Sequence, residues 1–403
     1  MDGRVVSGPA GLRGLADLGE LEGLPVIVRA DLNVPIDEDG QVIDDGRIVA
    51  AATTIRALME GGAFTIVLAH LGRPGGRRQP AASLLPVAER LSGAVGSLVA
   101  HAADTIGPLT RASILNLRPG DAVLLENVRF EAGEDADDDV LAERLAAPAR
   151  AFVFDAFGSA HRRQASTTGV ARHLPSVAGL VVAHEVAALG ELRSRGAAGG
   201  VLVAGGAKAA DKLPALARLA ETAEAILLGG ALAHVFLAQR GGALGASIVD
   251  RDALPAAARV VEAATASGCE IVLPTDVVST DGLTTEARIA VEAADAIGDG
   301  RIALDIGPET AARYAERIRG AAHVIWDGPP GAFEMEPFRA GTDALIAAAA
   351  DCPGSVVVGG GDTTSALRAS GRADAVTYVS TGGAAMLDLL AGRELPALEG
   401  LRA

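Results

Sequence analysis

The chain is built on an alternation that leaves few folds open to it. Short apolar runs recur at residues 26–29, 64–68, 122–125, 152–154, 201–203, 225–228, 270–273, 302–304, 324–326 and 355–358, with a further candidate at 376–379. Ala- and Leu-rich stretches with helical spacing lie between them. Continuous apolar runs, rather than runs alternating with polar residues, suit strands buried on both faces. Strands that alternate with helices make parallel sheets covered by helices on both sides. The expected class is therefore α/β, with doubly wound parallel sheets whose ligands gather beyond the carboxyl ends of the strands. The runs fall into two groups, before and after about residue 175, and 403 residues exceed what one small core accommodates. Residues 176–195 carry apolar positions throughout (Val177, Leu180, Val181, Val186, Leu189, Leu192) and read as one helix connecting two Rossmann-like domains.

Composition excludes several function classes. Aromatic residues make up only 3% of the chain, which leaves little for stacking on bases, and the formal net charge of −16 opposes general polyanion binding. No nucleic-acid partner is expected. No apolar run approaches the roughly 18 residues that a membrane helix needs, and no basic-then-apolar signal pattern opens the sequence. Cys269 and Cys352 are far apart and lack metal-ligand spacing, which fits reduced thiols and a cytoplasmic location. Nothing in the sequence demands a partner subunit, so a monomer is expected.

In the first half, four strand ends carry polar groups. The first delivers Asp31 and Asn33, the second His70 and Arg73, the third Arg129, and the fourth Arg162 and Arg163. Each alone has an ordinary explanation as a turn residue or a satisfied structural histidine. Together, at equivalent strand ends, they predict a basic pocket, because guanidinium groups bind phosphate and carboxylate through two parallel hydrogen bonds. Arg47, in Asp44-Asp-Gly-Arg47, reads by itself as a surface arginine paired with Asp44 or Asp45.

Lysine marks the second half. The chain contains only Lys208 and Lys212, both in Gly205-Gly-Ala-Lys-Ala-Ala-Asp-Lys212. The two glycines permit a sharp turn and close backbone approach. The helical pattern that follows places both lysines near its positive end, an arrangement suited to phosphate. The alternative is a pair of surface lysines. Neither the Walker A spacing nor Gly-x-Gly-x-x-Gly is present. Gly359-Gly-Gly-Asp362 and Ser380-Thr-Gly-Gly383 add two glycine-rich helix starts. Asp362 could hold Mg²⁺ on a phosphate, or could be an N-cap. Glu334 could receive ribose hydroxyls.

With these motifs in order, the chain resembles the phosphoglycerate kinase family over essentially its whole length. The matching stretches include Arg29-Ala-Asp-Leu-Asn-Val-Pro35, His70-Leu-Gly-Arg-Pro74, Leu124-Leu-Glu-Asn-Val-Arg-Phe130 and Asp155-Ala-Phe-Gly-Ser-Ala-His-Arg162. In the second half they include the lysine stretch, Leu273-Pro-Thr-Asp276, Asp305-Ile-Gly-Pro308, Trp326 to Glu334, Gly359 to Thr363 and Ser380 to Gly383. The resemblance implies a phosphoglycerate-binding domain at 1–175, a connecting hinge helix at 176–195, a nucleotide-binding domain at 196–385 and a tail at 386–403 returning to the first domain. It implies two domains facing a cleft, and reversible phosphoryl transfer between 1,3-bisphosphoglycerate and MgADP, giving 3-phosphoglycerate and ATP. By the same resemblance Asp31, Asn33, Arg47, His70, Arg73, Arg129 and Arg162 hold the phosphoglycerate. Arg47, Lys208 and Lys212 attend the transferring group. Gly206, Ala207, Lys208, Lys212, Gly229, Asp327, Glu334, Gly360, Gly361, Asp362 and Thr363 bind the adenine nucleotide, and Asp362 binds the Mg²⁺.

The departures from the family pattern cluster on the nucleotide side. Asp327 stands where the family usually has Asn, Pro330 where it has Met, and Ala231, Ala303 and Ala384 stand at usual glycines. Gln164 and Tyr378 stand at usual histidines. A carboxylate at Asp327 would weaken nucleotide binding unless Mg²⁺ or a lysine compensates. Two other functions remain compatible with the sequence: a kinase making an acyl phosphate on a related phosphorylated or phosphonylated acid, and a non-catalytic ligand-binding descendant.

Overall fold

The computed structural model describes residues 11–37, 39–196, 199–207, 209–284 and 287–402. The chain forms two compact units, one of residues up to Ala187 together with those from Glu394 onward, the other Ala188–Arg393.

The first unit is organised on six parallel strands, β1 (Pro25–Ala30), β2 (Phe64–Leu68), β3 (Val99–His101), β4 (Ala122–Leu124), β5 (Ala151–Asp155) and β6 (Ser176–Ala178), in the order β3-β4-β2-β1-β5-β6. The central strands are buried along nearly their whole length, as their mostly apolar sequences require, and they bury Arg29 of β1 and Asp155 of β5 as well. Val26, Val28, Val67 and Val153 face a cluster completed by Ile48, Ile55 and Leu58 of the helix Gly46–Glu60. The strand order reverses at β1, which pairs with β2 on one side and β5 on the other. At such a reversal the connecting helices go to opposite faces and leave a crevice beyond the strand ends.

The second unit contains β7 (Val201–Ala204), β8 (Ala225–Leu228), β9 (Ala243–Leu244), β10 (Glu270–Val272), β11 (Asp276–Thr280), β12 (Ile289–Ala293), β13 (Ala296–Ile297), β14 (Ile302–Ile306), β15 (His323–Asp327), β16 (Ser355–Gly359) and β17 (Tyr378–Val379). Its main sheet runs β10-β8-β7-β15-β16-β17, and the reversal lies between β7 and β15. Trp326 of β15 is fully buried, and its indole N–H donates to the Gly328 carbonyl at 2.9 Å.

Three sequence expectations are corrected. Residues 302–304 do not join the main parallel sheet. They lie in β14, part of an antiparallel sheet β12-β11-β14. No helix intervenes between β12 and β14, so no parallel crossover is available to them. Second, residues 176–195 are not one helix. Ser176–Ala178 is edge strand β6, and the helix is Leu180–Ser194. Gly179 is the break: a Cβ there would sit 2.2 Å from Asp155 Oδ1, the oxygen that accepts from the N–H groups of Val181 and Val182. Third, the helix Ala384–Leu390 belongs to the second unit, and the return to the first begins at Glu394, later than residue 386. There the Arg13 N–H donates to the Leu401 carbonyl at 2.8 Å, and Leu401 is fully buried.

Candidate functional site

In the first unit the ends of β2, β4 and β5 bring arginines to one cavity, while Asp31, Asn33, Arg47 and His70 stand outside its lining. Arg73, Arg129, Arg162 and Arg163 line a cavity of about 400 Å³, together with Gly75, Asp135 and Gln164. Arg129 is buried and donates from Nη1 to the Gly72 carbonyl at 2.7 Å. Its Nε has no hydrogen-bond partner within the protein and lies 4.0 Å from Asp135 Oδ1, too far for a hydrogen bond. A buried guanidinium with an unused donor is costly unless an anion completes it. Burial, and next the charge of Arg29, bring its pKa down to about 10, still far above neutrality. Arg73 is exposed, and Arg162 Nε donates to His161 Nε2 at 3.1 Å.

The other first-unit candidates frame this cavity through one another. Asn33 Oδ1 accepts from the Gly72 N–H at 2.8 Å, which ties the β1 loop to the His70–Pro74 turn. Arg47 is not the surface arginine that its local sequence suggested. Its side chain is 20% exposed, and its Nη1 donates to the Asn33 carbonyl at 2.9 Å and lies 3.4 Å from Asp31 Oδ1. Asp45 pairs with Arg90. His70 is buried, with its Nδ1 3.0 Å from Arg29 Nη2.

The second unit builds its site from backbone. Gly205 and Gly206 turn after β7, with φ +85° at Gly206. A Cβ at Gly205 would lie 2.3 Å from the Pro329 carbonyl, so glycine is needed for this approach. The helix Ala209–Leu219 follows, and Lys212 sits in its first turn. Lys212 Nζ donates to the carbonyls of Gly205 and Asp327, both at 2.8 Å, and lies 3.1 Å from Asp327 Oδ2. Lysine thus bridges the two strands that flank the reversal, and it compensates the buried Asp327 carboxylate. Lys208 lies outside the described residues.

Beside this bridge is a cavity of about 260 Å³ with mostly apolar walls. Gly206, Ala207, Gly230, Ala231, Ala303, Pro330 and Ile248 line it, and Glu334, Asp362, Asp305 and His234 supply polar groups. Gly229 caps the helix Gly230–Gln239, and Gly360 (φ +87°) caps the helix Gly361–Ala369. Thr363 Oγ1 accepts from the Gly328 N–H at 2.7 Å, which fixes the second glycine-rich turn against the end of β15. Lys212, Gly229, Asp327, Gly360, Gly361 and Thr363 stand outside the cavity lining and form the turns and helix starts around it. Asp362 is exposed in the first turn of its helix, and among the described residues no cluster of three or more metal-ligating side chains occurs. That donor set fits Mg²⁺ only as an ion carried by nucleotide phosphates, since Mg²⁺ takes one or two carboxylates and fills its octahedron with phosphate and water oxygens.

The model of the family described as phosphoglycerate kinase matches residues 15–393. The chain belongs to the phosphoglycerate kinase family. It is 46% identical over 377 residues to the phosphoglycerate kinase of Desulforudis audaxviator, covering 94% of this chain and 96% of that protein. With the phosphoglycerate kinase of Deinococcus radiodurans it shares 43% over 393 residues, 97% of this chain and 94% of the other. Among solved structures, phosphoglycerate kinase from Pyrococcus horikoshii superposes with a TM-score of 0.80 at 31% identity, covering 96% of this chain and 98% of that one. The enzyme from Coxiella burnetii gives 0.70 at 38%, covering 95% and 97%.

Sequence reasoning missed several residues that the two sites use. Arg29 was read only as part of a motif, although a charged residue inside an otherwise apolar buried strand was a signal. Asp305 lines the second unit's cavity and accepts from the Gly341 and Ile306 N–H groups, and burial raises it to about 7. His234 lines it too, bonded through Nδ1 to the Ile248 carbonyl at 2.9 Å, with its pKa lowered by burial. A lone histidine in an apolar helix gave no such signal.

Proposed function

We propose that this chain catalyses reversible transfer of the acyl phosphate of 1,3-bisphosphoglycerate to MgADP, giving 3-phosphoglycerate and ATP. The observation that carries the reading is the arginine-lined cavity of the first unit, with the buried, incompletely bonded Arg129 at its wall. A cavity of that size and charge suits a small molecule bearing a phosphate and a carboxylate. In this reading Asp31, Asn33, His70, Arg73, Arg129 and Arg162 bind the phosphoglycerate, and Arg47 stands beside the transferring group. The second unit takes the nucleotide: Gly206 and Ala207 line its cavity, Gly229 and Asp327 shape the turns beside it, Glu334 takes the ribose, and Gly360, Gly361, Asp362 and Thr363 take the phosphates. Lys208 and Lys212 follow the moving phosphoryl group. Phosphoryl transfer asks the protein mainly for positioning and charge neutralisation. Fixed arginine forks on the stationary end and compact lysine charges at the moving end divide that work. Mg²⁺, held by Asp362 and the nucleotide, would neutralise the phosphate oxygens. We further infer that the protein acts as a cytoplasmic monomer in glycolysis or gluconeogenesis. Among the described residues no helix is long and apolar enough to cross a membrane.

Steady-state turnover with MgATP and 3-phosphoglycerate, drawn forward by a coupled dehydrogenase, tests the reading. Turnover of roughly 10 s⁻¹ or more is expected. Turnover slower by orders of magnitude, with phosphoglycerate still bound, would overturn it in favour of another acid or nucleotide.

A further inference from the structure

Arg29 is a charged residue at the penultimate position of the central strand β1, with no exposed surface. All three guanidinium nitrogens have partners. Nε donates to Ser166 Oγ at 2.8 Å, Nη1 to the Ala30 carbonyl at 2.6 Å, and Nη2 lies 3.0 Å from His70 Nδ1. Ser166 in turn donates its hydroxyl to Glu134 Oε1 at 2.6 Å and its backbone N–H to Glu134 Oε2 at 2.9 Å. Glu134 and Ser166 are fully buried. The single hydroxyl proton is committed to the carboxylate, so the oxygen lone pair faces Arg29, and the direction of the whole chain of bonds is set.

Its last link fixes a tautomer. A guanidinium has donors and no acceptor. His70 Nδ1 must therefore present a lone pair, and the ring proton must sit on Nε2. Turning the ring over would put a C–H against the guanidinium and lose the bond. Protonating Nδ1 would set an N–H against an N–H and one cation against another. We propose that Glu134, Ser166 and Arg29 form a positioning relay that holds His70 as an uncharged Nε2–H donor to the phosphoglycerate. This rests on the functional reading above.

The surroundings act in the same direction. Burial first, then the charges of Arg29, Arg129, Arg47 and Arg162, keep the His70 pKa well below its ordinary value. The nearby carboxylates are committed elsewhere, Glu134 to Ser166 and Asp31 beside Arg47. His70 then contributes a directional hydrogen bond in a pocket whose positive charge comes entirely from arginine. Binding of the acid would carry no titration of His70 across the neutral range.

Long-range ¹H–¹⁵N spectra of the ligand-free full-length protein read this directly, with the His70 signals assigned by their loss in His70→Gln. The expected result is a neutral Nε2–H ring unchanged from pH 5 to 8. A titration near 6.5, or the Nδ1–H tautomer, would overturn the proposal. Ser166→Ala removes the link between Glu134 and Arg29. It should give His70 a mixed tautomer and raise KM for 3-phosphoglycerate about tenfold, with kcat changed less than twofold. Glu134→Gln keeps an acceptor for the hydroxyl and should give the smaller change in both readouts, and it serves in place of Ser166→Ala if that protein fails to fold. Unchanged spectra and KM in the folded variants would sink the relay. If the wild type binds no 3-phosphoglycerate, the functional reading fails and takes the ligand assignment with it, while the tautomer result separately decides the relay.

Discussion

The two units build their candidate sites on the same sheet architecture by opposite means. In the first, side chains do it: arginines from several strand ends converge, with Arg129 held by the Gly72 carbonyl and Arg162 bonded to His161. In the second, backbone does it: glycine turns after β7, β8 and β16 start helices around a mostly apolar cavity, and Lys212 is the single described lysine. A side-chain site is rigid in charge and shape, which suits a ligand end that stays put. A backbone site lets a phosphate chain approach closely, and it adds one compact cation where charge must move.

The largest expected effect is on the bridge between β7 and β15. Lys212→Ala should lower turnover by about 10³-fold, at the upper end for removal of one electrostatic stabiliser, while 3-phosphoglycerate binding to the first unit persists. The substitution also strands the Asp327 carboxylate, which is 2% exposed. Leaving a buried charge unpaired costs about 3–5 kcal/mol, so the second unit should melt earlier. Lys212→Ala combined with Asp327→Asn should recover the stability but not the turnover. Calorimetry and the coupled assay on the same samples separate the two, and an active Lys212→Ala protein would end the assigned role.

Next comes a change in the side-chain site. Arg129→Lys keeps the charge but loses the planar fork and cannot both reach the Gly72 carbonyl and offer a second donor. KM for 3-phosphoglycerate should rise about 10–100-fold, the loss of one or two charge-assisted hydrogen bonds, with nucleotide affinity untouched. The matching change in the backbone site is Gly360→Ala. Gly360 has φ +87°, and an added Cβ would lie 2.2 Å from Asp327 Oδ1. Strain of about 1–3 kcal/mol should weaken nucleotide binding by isothermal titration and leave phosphoglycerate binding as it was. If either variant disturbs both ligands equally, the division of labour between the units is wrong.

This division also explains what the sequence made legible. The first site was readable because it is built from residue types: arginines and a histidine just past apolar runs predict a basic pocket, and arginines line the cavity there. Arg47 was misread because its neighbours Asp44 and Asp45 are close in sequence, whereas Asp31 and Asn33 meet it only through the fold. The second site was readable as glycine turns plus lysine, but not as a cavity. Its walls are alanine, proline and isoleucine, which carry no chemical signature, and Asp305 arrives from an antiparallel strand that alternation with helices could not predict. The Gly179 break went unread for a similar reason, since its cause is a carboxylate on β5.

The smallest expected effect tests the least symmetric point of the comparison. Both sites contain a buried aspartate beside a cation: Asp31 with Arg47 at 3.4 Å, and Asp327 with Lys212 at 3.1 Å. In the first unit arginines remain in excess, so Asp31 orients one of them and leaves the pocket positive. In the second, Asp327 offsets the charge of Lys212 beside the glycine turns that we propose as the phosphate site. Asp327→Asn should release Lys212 and remove a repulsion of about 1–2 kcal/mol at an effective dielectric near that of a protein surface. Metal-free ADP should then bind about 5–30-fold tighter, while MgADP, whose ion already offsets the carboxylate, should change less than threefold. Titration calorimetry with and without Mg²⁺ gives both numbers. A metal-free affinity that does not move would mean that the aspartate and lysine act as one neutral structural clamp, and that the phosphates are held by the glycine turns alone.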